Sequence, residues 1–540
     1  MKKQSFITGA IILTISGIIC KILGALYKIP LTNILGTRGM GIYYIIFPVY
    51  AFLLTFVSSC FTISISKKVS SAMADDNFSV AHKYFKASLL LLFTLGLGLA
   101  IVMAVLAKLI SHLQGLSNVY ICYFIVAPSI IAVAVQSAFK GFFQGLQNMT
   151  PSAVSQVVEQ IVKLTVGFSL ASLLVGKGVL WGACGALVGV LISEIGTCAY
   201  FAVSYFVFKI KNKELYAKIE QNNAKNVAKS DFRTKNQPLE RFMREVFLNA
   251  VPFMLSSLII PLSLVVDSFL IVNILKAMGF DKFFATALLG LNSGVVSTLV
   301  GLPATVSSSL CTTIVPYITY SISSGDISSV SQKICLALKL TVIVSLPCFF
   351  VFAFFSPNII RILYSFDSIY ELNVASSLLM ISSINVLYLS ILQLTIAILQ
   401  AFGKTYIPVV NLSIGLLFKI IFELILINIP YLNISGAIVS NIVCYFVPCI
   451  LNVVRIKKLV PLKPSLWQTF ISPAISSMAM IGGIYVSLLI ITNVLSYRLS
   501  SLFAFLIGAI IYFVCIMLLK TFSKDEKRAF TLFRLKKKSV

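Results

Sequence analysis

The long apolar runs of this sequence decide what it can fold into. Stretches of twenty or more mostly apolar residues recur along the 540-residue chain, without the alternation of a β-strand. In a bilayer each backbone group must be satisfied within its own element, so such runs form membrane-spanning helices. Charged residues make up only 11% of the chain and the mean hydropathy is +0.99, whereas about a quarter of a soluble domain is charged. The sequence therefore predicts an all-α polytopic membrane protein.

We predict fourteen membrane-spanning helices. Their ranges are 5–30, 41–65, 84–110, 118–146, 152–175, 179–207, 245–275, 284–319, 330–356, 372–400, 406–429, 432–454, 466–492 and 499–521. The first span follows Lys2-Lys3, but it is too long for the apolar core of a signal peptide, so we expect it to be retained.

The net charge of +26 is mainly a topology signal. With the N-terminus in the cytoplasm, most Lys and Arg residues fall in connections predicted on the cytoplasmic side, as the positive-inside rule requires. An even number of spans then places the C-terminus there too. These basic segments favour anionic membrane lipids as partners. No nucleic-acid-binding motif accompanies them, so we predict no nucleic-acid partner. The basic segments are 66–86, 208–244, 453–463 and 524–540.

Cysteine and histidine usage predicts neither a metal site nor a cofactor. The eleven cysteines are scattered through the apolar spans without a CxxC pair, and we expect them to pack as small buried hydrophobes. The two histidines, His82 and His112, lie near loops and form no metal-binding spacing.

The chain divides at one long polar connection. We predict a first lobe of six spans (1–207), a basic cytoplasmic linker (208–244), a second lobe of six spans (245–458), two further spans (459–522) and a basic cytoplasmic tail (523–540). The linker suits either a basic amphipathic helix on the membrane surface or a solvated connection.

The two predicted lobes contain similar sequence segments. Residues 142–167 and 398–423 share a Gln near a helix end, a Pro at the next helix start and a Lys farther on. An offset of six helices preserves orientation, which predicts a parallel repeat about an axis along the membrane normal. Transporters with such repeats bind substrate between the halves. The corresponding residues are Gln144 and Gln400, Pro151 and Pro408, and Lys163 and Lys419.

Charged side chains within the predicted spans are the candidate site. Lys21 and Lys28 lie seven residues apart, close to two helical turns, and so share one helix face. Charges at such depth usually face a bundle interior or a water-filled pathway. The remaining candidates are Lys140, Glu159, Lys163, Glu194, Asp267, Lys419 and Glu423.

One polar stripe runs along the fifth span. Gln156, Glu159, Gln160 and Lys163 follow the i, i+3, i+4, i+7 spacing, and Glu159 can pair with Lys163. The sequence equally allows purely structural roles for these charges. The Glu159–Lys163 and Lys419–Glu423 pairs can simply neutralise each other, and Lys28 and Lys140 can extend to the membrane interfaces.

The candidate face is net positive, which favours an anionic ligand. Lysine is a compact charge that suits phosphate. We therefore assign the lysines Lys21, Lys28, Lys140 and Lys163 to substrate binding. Carboxylates beside them hold the empty site or bind a coupling cation. The cavity and coupling candidates are Glu159, Glu194, Asp267, Lys419 and Glu423.

Three segments resemble a known family. "ICKILGALYKIPLTNILGTRGMGIYY" (19–44), "PVYAFLLTFVSSCFTISISKKVS" (48–70) and "KGFFQGLQNMTPSAVSQVVEQIVK" (140–163) are similar to the signature of the stage V sporulation protein B family. That family belongs to the oligosaccharidyl-lipid flippases of the multidrug/oligosaccharidyl-lipid/polysaccharide superfamily, whose fold is MATE-like. Cys60-Phe61-Thr62 replaces a Gly-Ile/Leu-Pro step, which predicts a less kinked second span, and lysines replace frequent arginines at 140 and 163.

The resemblance implies transport of lipid-linked sugars, including lipid II, across the bacterial cytoplasmic membrane by two rocking lobes. Spans 13 and 14 would form a groove for the lipid tail. Lys21 and Lys28 would contact the pyrophosphate, while Glu159, Lys163 and Asp267 would line the cavity and take part in coupling to Na⁺, H⁺ or the membrane potential. The chain contains no nucleotide-binding motif, so we do not expect ATP-driven transport. The resemblance implies a transporter, so we expect no enzyme activity.

Three rival functions remain open in the sequence. A multidrug exporter of the same superfamily favours cationic cargo and a net acidic cavity, against which the lysines argue. A membrane-embedded glycosyltransferase or acyltransferase needs carboxylates or histidines in outward loops, where Asp367 and Glu371 are the nearest candidates. The third rival is a non-transporting scaffold. No sequence pattern specifies the glycan carried, the coupling ion, a vegetative or sporulation role, or the oligomeric state.

Overall fold

The structure is a computed structural model that describes residues 6–75, 77–212, 238–323, 326–366, 368–462, 464–492 and 496–522. Most of the predicted linker (213–237), the predicted tail (523–540) and Asp367 lie outside the described residues. The amphipathic-helix interpretation of the linker and the enzymatic interpretation of Asp367 therefore stay predictions.

The described chain is almost entirely helical. We number the helices α1 Phe6–Val57, α2 Ser59–Ala74, α3 Phe78–Leu113, α4 Tyr120–Gly145, α5 Thr150–Val162, α6 Phe168–Val175, α7 Val179–Lys211, α8 Leu239–Ala277, α9 Lys282–Leu289, α10 Ser297–Ser323, α11 Ile327–Leu363, α12 Ile369–Ala401, α13 Tyr406–Leu426, α14 Ile434–Leu459, α15 Ser472–Ile491 and α16 Tyr497–Leu518. Wider π-helical turns join α5 to α6, join α9 to α10 and precede α15. These turns are Lys163–Gly167, Gly290–Val296 and Trp467–Ile471.

The prediction of an all-α polytopic membrane protein is confirmed. Within the described residues, thirteen stretches are long and apolar enough to cross a membrane. The first, Ile15–Ala74, has 60 residues, about 90 Å of helix against a hydrocarbon core of about 30 Å. This length suits two crossings. The predicted total of fourteen spans stays a prediction.

A break at Gly36 divides helix α1 between the first two predicted spans. Its backbone (φ 65°, ψ 179°) is outside the helical region and is readily adopted only by glycine. The Lys28 ammonium lies 5.4 Å from the centre of the Tyr44 ring. These residues would be about 24 Å apart along a straight helix, so the chain must change direction between them.

The second predicted span is interrupted, although its lack of a proline at 60–62 predicts a straighter helix. Helix α1 ends at Val57 and α2 begins at Ser59, because Ser58 adopts non-helical angles of φ −105° and ψ −82°. Adjacent serines are a frequent cause of such kinks. The expectation of a less kinked segment therefore overlooked the Ser58-Ser59 pair.

The chain forms two compact units. The first comprises Met1–Val295 and Ile420–Ala437, and the second comprises Val296–Lys419 and Ile438–Val540, each to the extent that its residues are described. The predicted lobes 1–207 and 245–458, and the separate pair of spans in 459–522, stay a prediction.

The two similar segments, 142–167 and 398–423, contain the same turn. After α4, the amides of residues 146, 147 and 148 donate to the carbonyls of 142, 144 and 143. After α12, the amides of 402, 403 and 404 donate in the same order to 398, 400 and 399. The left-handed position is Gln147 (φ 59°) in one turn and Gly403 (φ 70°) in the other. The same hydrogen-bond pattern also follows α3, α8 and α16, so it is a general helix-end turn of this chain, and the predicted repeat stays a prediction.

Both ends of α8 are fastened within the first unit. At its start, the Glu245 carboxylate accepts hydrogen bonds from Lys68 Nζ (2.8 Å) and the Tyr84 hydroxyl (2.6 Å). Near its end, Lys276 Nζ donates to the carbonyl of Gly115 at 3.2 Å. The partners at the start of α8 come from the connection predicted on the cytoplasmic side, and the partner at its end comes from a connection predicted on the opposite side.

In the second unit, α15 and α16 pack on α11. The Lys339 ammonium of α11 is buried and donates to Gln468 Oε1 (2.8 Å) and to the carbonyl of Thr521 (3.4 Å). The Tyr512 hydroxyl of α16 donates to the carbonyl of Ile343 at 2.7 Å. Polar contacts thus hold the last two helices on α11, in addition to apolar packing.

Candidate functional site

A buried cluster of charged side chains in the first unit comes from α5, its π-helical turn and α7. Lys163 Nζ lies 2.5 Å from Glu159 Oε1 and 3.3 Å from Glu194 Oε1. The side chains of Lys163, Glu159 and Glu194 are only 15%, 18% and 5% exposed. The predicted Glu159–Lys163 pair is present, and a second carboxylate from another helix joins it. We call these three residues the ion cluster.

Gln136 of α4 extends the ion cluster. Its Nε2 donates to the Glu194 carbonyl (2.7 Å) and to Glu194 Oε2 (3.1 Å), so three helices meet at this carboxylate. The Gln136 side chain is fully buried, and its Oε1 has no hydrogen-bond partner among the described residues. Gln136 therefore fixes Glu194 in place and leaves one buried acceptor oxygen unused.

Glycines let α7 approach closely enough for Glu194 to reach Lys163. A Cβ atom on Gly189 would collide with the backbone of Gly167, the last residue of the π-helical turn. A Cβ atom on Gly185, one turn earlier, would lie 2.6 Å from the Leu170 carbonyl oxygen. Larger residues at these positions would separate α7 from α5 and α6, and so the glycines set the geometry of the ion cluster.

The lysine stripe of α1 borders the polar stripe of α5. Gly24 lies between Lys21 and Lys28 on the same helix face, and a Cβ atom built on it would lie 3.6 Å from Gln160 Oε1. The Lys21 side chain is exposed and Lys28 is half-buried. The structure thus brings the α1 lysine face beside the helix that carries the ion cluster.

Lys140 lies on α4, one turn after Gln136. Its ammonium is 5.9 Å from the centre of the Phe201 ring on α7, a cation–π distance. The side chain is half-buried. Lys140 therefore adds a further positive charge near the ion cluster. Glu194, which the sequence analysis assigned to the cavity, joins Glu159 in compensating the lysines.

The remaining candidates are buried elsewhere. Asp267 of α8 is 5% exposed and is followed by Ser268, whose hydroxyl accepts a hydrogen bond from Gln114 Nε2 at 3.1 Å. Lys419 and Glu423 of α13 are both fully buried. Lys419 belongs to the second unit and Glu423 to the first. Their predicted roles in coupling stay predictions.

Sequence reasoning missed several polar residues. Gln136 is fully buried in a predicted span, Gln114 is fully buried in the connection between two predicted spans, and Lys339 is 5% exposed within another span. The signal was present, because glutamine and lysine deep in an apolar span are costly unless they have partners. Such residues escape notice when polar side chains are sought mainly beside other charges on the same helix.

Known proteins resemble this chain over most of its length. The family described as "Polysaccharide biosynthesis protein" matches residues 6–322, more than half of the chain. The lipid II flippase MurJ of Bacillus subtilis (strain 168) is 25% identical over 466 residues, covering 84% of this chain and 83% of that protein. Stage V sporulation protein B of the same organism is 25% identical over 480 residues, covering 88% of each.

Solved structures show the same fold. A structure of the lipid II flippase MurJ in an inward closed conformation has a TM-score of 0.68 at 17% identity and covers 94% of this chain and 99% of that one. An inward-facing multidrug resistance MATE family transporter of the MOP superfamily has a TM-score of 0.61 at 15% identity, over 81% and 95% of the two chains. The predicted MATE-like fold is therefore confirmed.

Proposed function

This chain belongs to the polysaccharide biosynthesis protein family, and on that ground we propose that it is a flippase for an undecaprenyl-pyrophosphate-linked cell-wall or polysaccharide precursor. The chain is a multi-pass membrane transporter of this family, not an enzyme. The curated relatives carry names that refer to lipid II flipping and to sporulation. We place it in the bacterial cytoplasmic membrane with both termini inside.

The observation that carries this proposal is the proximity of two polar helix faces, one on α1 and one on α5. The α1 face presents Lys21 and Lys28, and it borders the α5 face through Gly24 and Gln160. A diphosphate head group needs several cations near one another, and ammonium groups meet this need. A drug exporter of the same fold would favour cationic cargo, for which two adjacent lysines are unsuited.

The proposed direction of transport is toward the outer leaflet. With the cytoplasm negative, each negative charge moved outward gains about 2.3 kcal/mol per 100 mV. The membrane potential alone thus assists the export of an anionic head group, and we propose Na⁺ or H⁺ as the alternative coupling ion. Alternating access of the two sides completes the proposed cycle.

Replacing Lys21 by alanine is expected to abolish transport without preventing expression, because the substitution removes an exposed cation from the α1 face. The measurement is growth rescue of a bacterium depleted of its lipid II flippase, with membrane abundance followed by immunoblot. Lys177→Ala, at an exposed lysine in the turn before α7, is the matched control. Full rescue by Lys21→Ala would remove this residue from the site. Failure of the well-expressed parent chain to rescue would point to a different cargo.

The α1 face is expected to be reachable from water in one transport state. Ala25→Cys places a thiol three residues before Lys28, on the same face. In a variant whose native cysteines are replaced, this thiol should react with a charged maleimide, and addition of substrate should change the rate. Val105→Cys on α3, at a strongly exposed apolar position, serves as the lipid-facing control. Protection of the introduced thiol on α1 under every condition would show that this face is packed or lipid-exposed.

A further inference from the structure

The two carboxylates of the ion cluster are held differently. The Glu194 carboxylate accepts one hydrogen bond from Gln136 Nε2 at 3.1 Å in addition to its 3.3 Å contact with Lys163, and the same Nε2 donates to the Glu194 backbone carbonyl at 2.7 Å. The Glu159 carboxylate contacts Lys163 at 2.5 Å and Gln160 Nε2 at a long 3.5 Å. Glu159 is also more exposed than Glu194, 18% against 5%. Glu159 thus has the shorter contact with Lys163, but among the described residues no other helix anchors its carboxylate, so it can turn toward water or a ligand more readily than that of Glu194.

Glu159 belongs to the turn of α5 that borders the proposed substrate site. Gln160, its neighbour in sequence, faces Gly24 of α1 between the two lysines of the candidate site. An anion held by the α1 lysines would thus be next to the helix turn that carries Glu159 and Lys163. To reach Lys163, such an anion must replace the Glu159 carboxylate or be repelled by it.

We propose that Glu159 is a resident counter-anion that makes the site selective for diphosphate head groups over monoanionic phospholipids. This inference rests on the proposed function. A monoanionic head group offers Lys163 one negative charge in exchange for the one it displaces, so it gains nothing from the exchange. A diphosphate brings more charge and more acceptor oxygens, and it can bind Lys163 and the α1 lysines together.

A resident counter-anion would prevent abundant anionic phospholipids from occupying the site. Anionic phospholipids vastly outnumber lipid-linked precursors in a bacterial membrane, and a site of bare lysines would fill with them. Rejecting a competitor by an internal charge is a common source of specificity. Glu194, fixed by Gln136, remains with Lys163 in both the empty and the occupied site and keeps the buried ammonium paired.

The test compares ligand selectivity of the full-length protein in nanodiscs made of zwitterionic lipid. The probes are a short-chain polyprenyl diphosphate and phosphatidylglycerol, each titrated against a bound fluorescent polyprenyl diphosphate. Glu159→Gln is expected to reduce the preference for the diphosphate by about tenfold, chiefly through tighter phosphatidylglycerol binding. Glu159→Ala provides the same readout if the glutamine variant folds poorly. Glu240→Gln, at an exposed site at the start of α8, is the matched control.

The outcomes distinguish the proposed role of Glu159 from the proposed function. An unchanged preference in both Glu159 variants, with diphosphate binding intact, would overturn this inference and leave the proposed function standing. Failure of the unaltered protein to bind the polyprenyl diphosphate would overturn both. Glu194→Gln is expected to keep the preference of the parent, and an equal loss of preference in Glu194→Gln and Glu159→Gln would contradict the distinct role assigned to Glu159.

Discussion

Replacing Lys163 by methionine is expected to destabilise the first unit by about 3–5 kcal/mol, the cost of removing one partner from a buried ion pair. The change leaves the carboxylates of Glu159 and Glu194 close together and without their shared cation. The methionine has nearly the same length, so packing alone would change little. The expected result is a large fall in thermal midpoint and in the yield of monodisperse protein, measured in detergent by fluorescence-detected size exclusion.

A triple variant separates charge from packing in this prediction. Lys163→Met combined with Glu159→Gln and Glu194→Gln removes all three charges while preserving side-chain volume, and it should recover most of the lost stability. Lys177→Met, at an exposed position, should leave the free energy of unfolding within about 0.5 kcal/mol of the parent value. If Lys163→Met were as stable as the parent, the ion cluster would not be a buried, mutually compensating group.

Replacing Gly189 by leucine is expected to disrupt the contact between α7 and the π-helical turn. A side chain there meets the Gly167 backbone, which cannot rotate away as a flexible side chain does. Overpacking usually costs about 1–3 kcal/mol, and here the displaced helix also carries Glu194 away from Lys163. We expect both a lower thermal midpoint and a loss of function in the rescue assay.

Gly196, seven residues farther along α7, provides the control for this substitution. A Cβ atom built on Gly196 meets no atom within 4 Å, so Gly196→Leu adds the same apolar volume to the same helix without a collision. Its midpoint should stay close to that of the parent. Equal losses in the two variants would show that leucine harms α7 wherever it is introduced, rather than through the close approach at Gly189.

The sequence predicted local relationships better than relationships between helices. The Glu159–Lys163 pair follows from a spacing of four residues on one helix, and the structure contains it. The contact from Glu194 depends on the distance between α5 and α7, which the glycines of α7 set by allowing backbones to touch. The sequence shows where the glycines lie along α7, but it does not show which helix packs against them.

Apolar run length predicted the helices because the bilayer imposes that length on any helix that crosses it. The break at Ser58 escaped prediction, because the sequence analysis considered only the residues at 60–62 as a source of a kink in this span. The buried positions of Lys21 and Lys28 were inferred from apolar neighbours. The structure shows one of them exposed and the other half-buried, because the α1 face is covered by α5 only in part.

The contact between Lys339 and Thr521 has a consequence for how this protein is made. The two residues are 182 positions apart, and Thr521 is fully buried just after the last helix. While the chain is being synthesised, α11 enters the membrane long before its ammonium can meet that carbonyl. Gln468, the partner at 2.8 Å, is synthesised 129 residues after Lys339, and the carbonyl of Thr521 follows only when translation is nearly over. A chain truncated just before Thr521 would lose this closing contact, and a ribosome stalled near the C-terminus would hold a bundle whose final polar contact is still unmade.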